Sequence, residues 1–408
     1  MRMLFTSAKS LLNRYGLGSF MEVIPGIEED KEESVLLPPR HVMFLEEVAA
    51  ALRRTRFTYL DQQHPDGYWW YQLESNVTIV AEYLMLLHFL GVHDACRDRK
   101  ISNHILRHQR QDGTWSLYRG GAGDLSTTVE AYFALKLAGY HAAEPRMKQA
   151  RRFILDQGGV EASRVFTKVY LALFGEFSWK AVPSIPVELN LFPTWFPLNI
   201  YNFSSWARST VVPLSLVLEC RPVRRPPKGE NIRELFREPD KVPPITAGTM
   251  SARSWKRVFI LLDRLMKSVD GLPIRPLRQR AMKWTEQWVL DHQEPTGDWG
   301  GIQPAMVNSI LALTALGHPA TAEPVRKGLQ ALERFSLESD DEISLQSCIS
   351  PVWDTALTSL ALLYSGMDRD HPALVNGSAW LASKQIFTKG DWSVKQPDLA
   401  PGGWAFEF

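Results

Sequence analysis

Two glutamates, Glu82 and Glu130, lie inside long apolar runs of helical period, where an unpaired carboxylate is expensive. Each is either a structural group held by a hydrogen bond or salt bridge, or a carboxylate kept for chemistry. Phe166 and Tyr170 are four residues apart and share one face of a helix. Taken alone, such aromatics on a buried helix pack in a core. The acidic cluster Glu338-Ser339-Asp340-Asp341-Glu342 reads as a solvated loop. No convincing pair of cleft carboxylates, which a glycosidase would hold about 5 to 9.5 Å apart, stands out. Cys96, Cys220 and Cys348 are odd in number and far apart. They make neither a disulfide framework nor a metal knuckle, and read as reduced core thiols of a cytosolic protein. No cofactor and no metal are expected.

The elements that would position these groups are announced by tryptophan. Of fourteen tryptophans, four close a recurring phrase in which Gln is followed by Gly-x-Trp: Gln63 with Trp69, Gln109 with Trp115, Gln293 with Trp299, and Gln385 with Trp392. Successive closing tryptophans lie 46, 184 and 93 residues apart, close to multiples of 46. That length suits a helical hairpin, a unit that buries its apolar face only by stacking on neighbours. These eight residues are read as structural, each indole stacking on its Gln and tying neighbouring hairpins together. After the phrases come apolar runs that stop at glycine: Thr78–Leu90, Thr127–Ala138, Phe166–Phe174, Asn308–Leu316 and Thr355–Ser365. A glycine there takes the left-handed cap without a Cβ penalty. The runs are apolar on most sides, as inner helices are, whereas phrase-bearing helices such as Met147–Leu155 are amphipathic. Alternating inner and outer helices predict an all-α fold, an α/α barrel. No period-2 strand pattern competes.

The 408 residues suit two domains, and 45% hydrophobic against 22% charged residues excludes wholesale disorder. With 46 basic and 45 acidic residues, a nucleic-acid partner is excluded. Met1 to Met21 is basic but lacks a secretory signal. The uncharged stretch Leu189–Ala207 carries Pro193, Pro197 and three asparagines, so it does not span a bilayer. Its aromatic and leucine-rich part, Leu189–Leu198, either forms an apolar plateau on a membrane surface or packs into the barrel face. Arg221–Pro244, with six prolines, reads as a surface loop.

The Gln…Gly-x-Trp phrases resemble the repeats of triterpene cyclases. Further strings are similar to the squalene-hopene cyclases: Asp66-Gly67-Tyr68-Trp69-Trp70, Ser163-Arg164-Val165-Phe166-Thr167, Pro197-Leu198-Asn199-Ile200-Tyr201, Ser205-Trp206-Ala207-Arg208, Gly300-Gly301-Ile302-Gln303-Pro304 and Ser350-Pro351-Val352-Trp353-Asp354-Thr355. The likeness covers roughly Leu52 to Phe408. It implies one complete inserted barrel over 74–352, pieces of a second over 53–73 and 353–408, and an N-terminal extension over 1–52.

It also implies an isomerase (an intramolecular transferase) that cyclises squalene or a related polyprenoid to a pentacyclic triterpene of the hopanoid pathway. By the same resemblance, Phe166, Tyr170, Trp206, Ile302, Gln303, Pro304, Trp353 and Phe406 line the substrate cavity, and Glu82 and Glu130 polarise the water that ends the reaction. The family's catalytic acid sits in an Asp-x-Asp-Asp motif that follows a segment like Gly402–Phe408, so no catalytic residue is expected in this chain. It is expected to be inactive without a C-terminal half, to occupy the cytoplasmic side of a membrane as a peripheral or monotopic protein, and to self-associate, a homodimer included. Asp354 is expected to cap the helix that follows it. The alternative is a non-catalytic isoprenoid-binding or interaction protein that keeps only the inserted barrel.

Overall fold

The computed structural model of the chain describes residues 39–227, 229–239 and 275–406. Most of the expected N-terminal extension and the end of the Pro-rich loop, 240–244, lie outside these. The chain divides into two compact units. One takes Leu73–Cys348 and Gly390–Asp398; the other takes the described residues before Leu73 with Ile349–Lys389 and those from Leu399 onward.

The second of these units opens with α1, Pro39–Asp61. The larger unit then alternates apolar and amphipathic helices: α2 Val77–Leu90, α3 Ala95–Arg107, α4 Leu125–Leu137, α5 Pro145–Asp156, α6 Val165–Leu173, α7 Ser205–Cys220, α8 Arg275–Asp291, α9 Gln303–Ala315 and α10 Glu323–Arg334. The chain is all-α, built as an α/α barrel. Helix α2 packs against α4, α6 and α9, and α9 packs on α7. These are the inner helices: every residue of α4 from Ser126 to Leu137 is buried. The outer helices bury one stripe each, Met147, Ala150 and Ile154 on α5 and Val325, Gly328, Ala331 and Leu332 on α10, the spacing of a single apolar face. A two-stranded antiparallel hairpin, β1 Ser336–Glu338 and β2 Ile343–Leu345, follows α10. It is too short for a period-2 pattern to register. The smaller unit resumes with α11, Pro351–Tyr364, and α12, Pro372–Ser383.

The five glycines expected to end the inner helices, Gly91, Gly139, Gly175, Gly317 and Gly366, all have positive φ. Helix α7 is the inner helix that composition hid. Pro213 lies inside it, and Arg221, not glycine, takes the left-handed position at its end (φ 49°). Asp354 does not cap α11. Ser350 is the N-cap, and Asp354, in the first turn, accepts the Tyr71 amide at 3.0 Å and the Ser350 hydroxyl at 3.2 Å.

The repeated phrase is a hydrogen-bonded clamp. Each Gln Nε2 donates to the carbonyl of the Gly-x-Trp glycine and to a first-turn carbonyl of the next outer helix. Gln63 reaches Gly67 and Ala373, Gln109 reaches Gly113 and Arg146, and Gln293 reaches Gly297 and Pro324, all at 2.7 to 3.2 Å. The indole N–H of Trp69, Trp115 and Trp299 donates back to the residue four before the Gln, at Tyr59, Ile105 and Val289.

The fourth copy corrects the expected pairing. Gln385 donates to Gly402 at 2.7 Å, and Trp404, not Trp392, donates to Leu381 at 2.6 Å. Leu381 is the residue four before Gln385, so Gly402-Gly403-Trp404 closes this repeat. The intervening stretch 390–398, expected with the smaller unit, belongs to the larger one, where Asp391 accepts from Arg208 at 2.8 Å and pairs with His292 at 3.1 Å. Trp115→Phe is expected to lower stability by about 2 kcal/mol, chiefly because the buried Ile105 carbonyl loses its donor. Trp392→Phe is expected to cost less than about 1 kcal/mol. Urea midpoints of the two variants check both.

Candidate functional site

Glu82 on α2, Glu130 on α4, Thr167 and Tyr170 on α6 and Gln303 at the start of α9 meet where the inner helices converge. The Tyr170 hydroxyl donates to Glu82 Oε2 at 3.0 Å, and Gln303 Nε2 donates to the same oxygen at 3.2 Å. Thr167 donates its hydroxyl to Glu130 Oε1. Thr167 and Tyr170 are three apart, so α6 offers both hydroxyls from one face. Gln303 is held by its own amide, which donates to Ser347 at 2.8 Å beside an Ile302–Cys348 bridge.

The electrostatics are unusual. Burial first, then the neighbouring Glu130, pushes the Glu82 carboxyl up to about 8, against the pull of its Gln303 and Tyr170 hydrogen bonds. Burial raises Glu130 to about 7 despite Thr167 and the Arg164 charge. Burial and Glu82 hold the Tyr170 phenol far above its ordinary value. Arg164 stands at the edge of the cluster, anchored to Asp124 at 2.8 Å. Two acceptors, Glu130 Oε2 and Gln303 Oε1, are buried without a hydrogen-bond partner. Buried polar atoms in native proteins are nearly always satisfied, so the cluster has room in its bonding for a small polar molecule.

The other aromatics expected from the resemblance are placed differently. Phe166 and Trp206 are 52% and 67% exposed, so neither is a core residue. Ile302 and Pro304 flank the buried Gln303 and are half-buried. In the smaller unit, Trp353 and Phe406 meet with ring centroids 5.7 Å apart. Sequence reasoning missed Thr167 and Arg164 as neighbours of the carboxylates. Both stand in the Ser163–Thr167 string, and the three-residue step from Thr167 to Tyr170 was the signal.

The segment at 189–198 splits in two. Asn190 is buried and bonds Ser215 and Thr285 at 2.9 Å, whereas Trp195 is 79% exposed and Leu198 57%. Asn199 and Asn202 pin this turn by donating to the carbonyls of Thr194, Phe196 and Pro197. Among the described residues, no helix is long and apolar enough to cross a membrane. The acidic cluster at 338–342, exposed except for the half-buried Glu342, is not merely solvated: Lys100 pairs with Glu338, and Arg107 with Asp341 and Glu342, from α3.

The squalene-hopene cyclase N-terminal domain family matches residues 52–341, and the squalene-hopene cyclase C-terminal domain family matches 349–408. The chain belongs to the squalene-hopene cyclase family. It is 45% identical over 364 residues to the squalene–hopene cyclase of Alicyclobacillus acidocaldarius, covering 88% of this chain and 56% of that one. The squalene–hopene cyclase of Zymomonas mobilis is 38% identical over 376 residues, 90% of this chain and 57% of its own. A dammaradiene synthase of Dryopteris crassirhizoma is 40% identical over 340 residues, 82% of this chain and 49% of its own. The chain spans about half the length of the curated relatives it matches.

Proposed function

We propose that this chain supplies the N-terminal part of a cyclase that folds squalene or a related polyprenoid and closes its rings through a migrating carbocation. The observation that carries this reading is the buried cluster of Glu82, Glu130, Tyr170 and Gln303 with its two open acceptors. A cation cascade needs a dry cavity, aromatic faces, and one controlled place for water. In this reading a water donates to Glu130 Oε2 and Gln303 Oε1 and takes the proton from the carbon beside the final cation, leaving an alkene. The proton it gains passes to a carboxylate of the pair. Phe166, Trp206, Trp353 and Phe406 are assigned ring faces toward the cation, and Ile302 and Pro304 apolar contacts with the substrate. No Asp-x-Asp-Asp sequence occurs in the 408 residues, so the proton that starts the cascade is assigned to a further segment.

The exposed Trp195 and Leu198 support docking on a membrane surface, from which a water-insoluble substrate would enter; the cytoplasmic face is the side assigned. A C-terminal cyclase half and a second copy of the chain are the proposed protein partners. The test is incubation with squalene of the purified chain alone, and of the chain combined with the C-terminal portion of the Alicyclobacillus cyclase. The expected result is polycyclic triterpene from the combination only. Product from the chain alone would overturn the assignment of the acid. Squalene retained but never cyclised by the combination would favour a binding protein instead.

A further inference from the structure

Away from this site, α2 and α3 are joined by a tight turn that gathers three groups absent from the expected chemistry. His88 sits in the last turn of α2, His93 follows the Gly91 cap, and Asp98 lies in the first turn of α3, whose start is fixed by the Asp94 N-cap. Their position is therefore set by two helix ends only a few residues apart. His88 Nε2 lies 3.0 Å and His93 Nδ1 3.1 Å from the same oxygen, Asp98 Oδ2. One ligand atom from each residue falls within 4.8 Å of the others. The two imidazoles stack with centroids 3.8 Å apart.

The carboxylates are poorly served by protein alone. The Asp98 side chain is only 9% exposed, and its Oδ1 has no partner. Glu230 lines the same cavity of 790 Å³, and its buried Oε2 is also without a partner. Arg224, which borders the cavity, donates instead to the Phe89 carbonyl at 2.8 Å. Two neutral imidazoles and two carboxylates make a donor set of net charge −2, the nitrogen and oxygen ligands that Zn²⁺ takes at about 2.0 to 2.2 Å. A tetrahedral site of that size has edges of roughly 3.4 Å, close to the two nitrogen–oxygen separations observed. Bringing the second imidazole onto the ion requires the His93 ring to leave the stack. Its side chain is 43% exposed and lines the cavity, so it is free to turn.

We propose that the turn between α2 and α3 binds a divalent cation of the zinc class through His88, His93 and Asp98, with the Glu230 carboxylate as fourth ligand. The ion would tie the end of this helical hairpin to the returning segment that carries Glu230. A plain hydrogen-bonded triad would take up no cation, which makes the two accounts separable. The experiment is titration of the tag-free, chelator-stripped 408-residue protein with Zn²⁺ by calorimetry against a competing chelator, repeated with Co²⁺ for its visible spectrum. The expected result is one ion per chain, with the intense visible bands of four-coordinate cobalt. His93→Ala, on an exposed loop, is expected to weaken binding by about tenfold or more with an unchanged circular dichroism spectrum, and Asp98→Asn at least as much. No uptake by the wild-type protein, or equal uptake by wild type and His93→Ala, would overturn the proposal.

Discussion

Gly297→Ala is expected to destabilise the larger unit by about 3 kcal/mol or more, enough to remove a large part of a typical folding free energy. Two costs add at this position. Its φ is +95°, where an L-residue with a Cβ loses roughly 1 to 2 kcal/mol. An alanine Cβ would also stand 2.6 Å from the Lys327 carbonyl oxygen on α10, a backbone atom that cannot swing aside as a side chain would. Relieving that overlap means lifting α10 from the Gln293 clamp and from Trp299, whose ring already meets Gly328. Gly317→Ala separates the two costs: its φ is +101°, but nothing lies within 4 Å of the added Cβ. It is expected to lose only the backbone part, about 1 to 2 kcal/mol. Urea unfolding followed by circular dichroism measures both. Equal losses at the two positions would mean that the helix contact at Gly297 yields without cost.

The clamp also shows what the sequence made legible and what it hid. Gln, Gly and Trp recur at fixed separations, so the hairpin repeat and its outer helices could be read directly. The partner of each clamp could not. The indole lands on a small residue four after the carbonyl that Gln holds, Gly377 for Trp69 and Gly328 for Trp299, with Ala150 in the equivalent place for Trp115. These residues lie 29 to 308 positions from their tryptophans, and a lone small residue on an amphipathic helix carries no signal by itself. Trp392 misled for a related reason. Gly390-Asp391-Trp392 has the right local composition, but Arg208 and His292 draw Asp391 elsewhere, and Trp404 keeps the bonding register instead. At the candidate site, their place inside apolar runs pointed to Glu82 and Glu130, the four-residue step from Phe166 pointed to Tyr170, and a family string pointed to Gln303. Thr167 was hidden because a threonine inside an apolar run usually satisfies its hydroxyl on its own helix. The zinc-class cluster was hidden because it contains no cysteine and follows no metal-knuckle spacing; His88, His93 and Asp98 are ordinary residues until a glycine cap folds one helix end onto the next.

The double replacement Glu82→Gln, Glu130→Gln is expected to remove a loss of stability that the wild-type chain shows as pH rises from about 5 to about 8. Both carboxyls titrate higher in the folded protein than in the unfolded chain, chiefly because burial disfavours their charged forms. The folded state therefore holds protons that the unfolded state has released. The associated stability is complete below the unfolded value near 4.5, and it drains away as pH climbs through the folded values near 7 and 8. A tenfold difference in proton affinity between the two states corresponds to about 1.4 kcal/mol, so the pair is expected to contribute several kcal/mol across this window. Glutamine resembles the protonated carboxyl in shape, and its oxygen can still accept from Tyr170 and Gln303, so the variant should fold. Lys168, whose burial lowers it to about 8, acts with the opposite sign and above this window. Subtracting the variant's curve from the wild type's isolates the pair, with thermal or urea unfolding at pH 5, 6.5 and 8 as the measurement. Parallel curves would show that both carboxylates are already ionised in the folded protein, held by the Arg164 charge. In that case the prediction of a pH-dependent stability falls, whereas an ionised carboxylate could still accept the proton assigned to the pair at the end of the cascade.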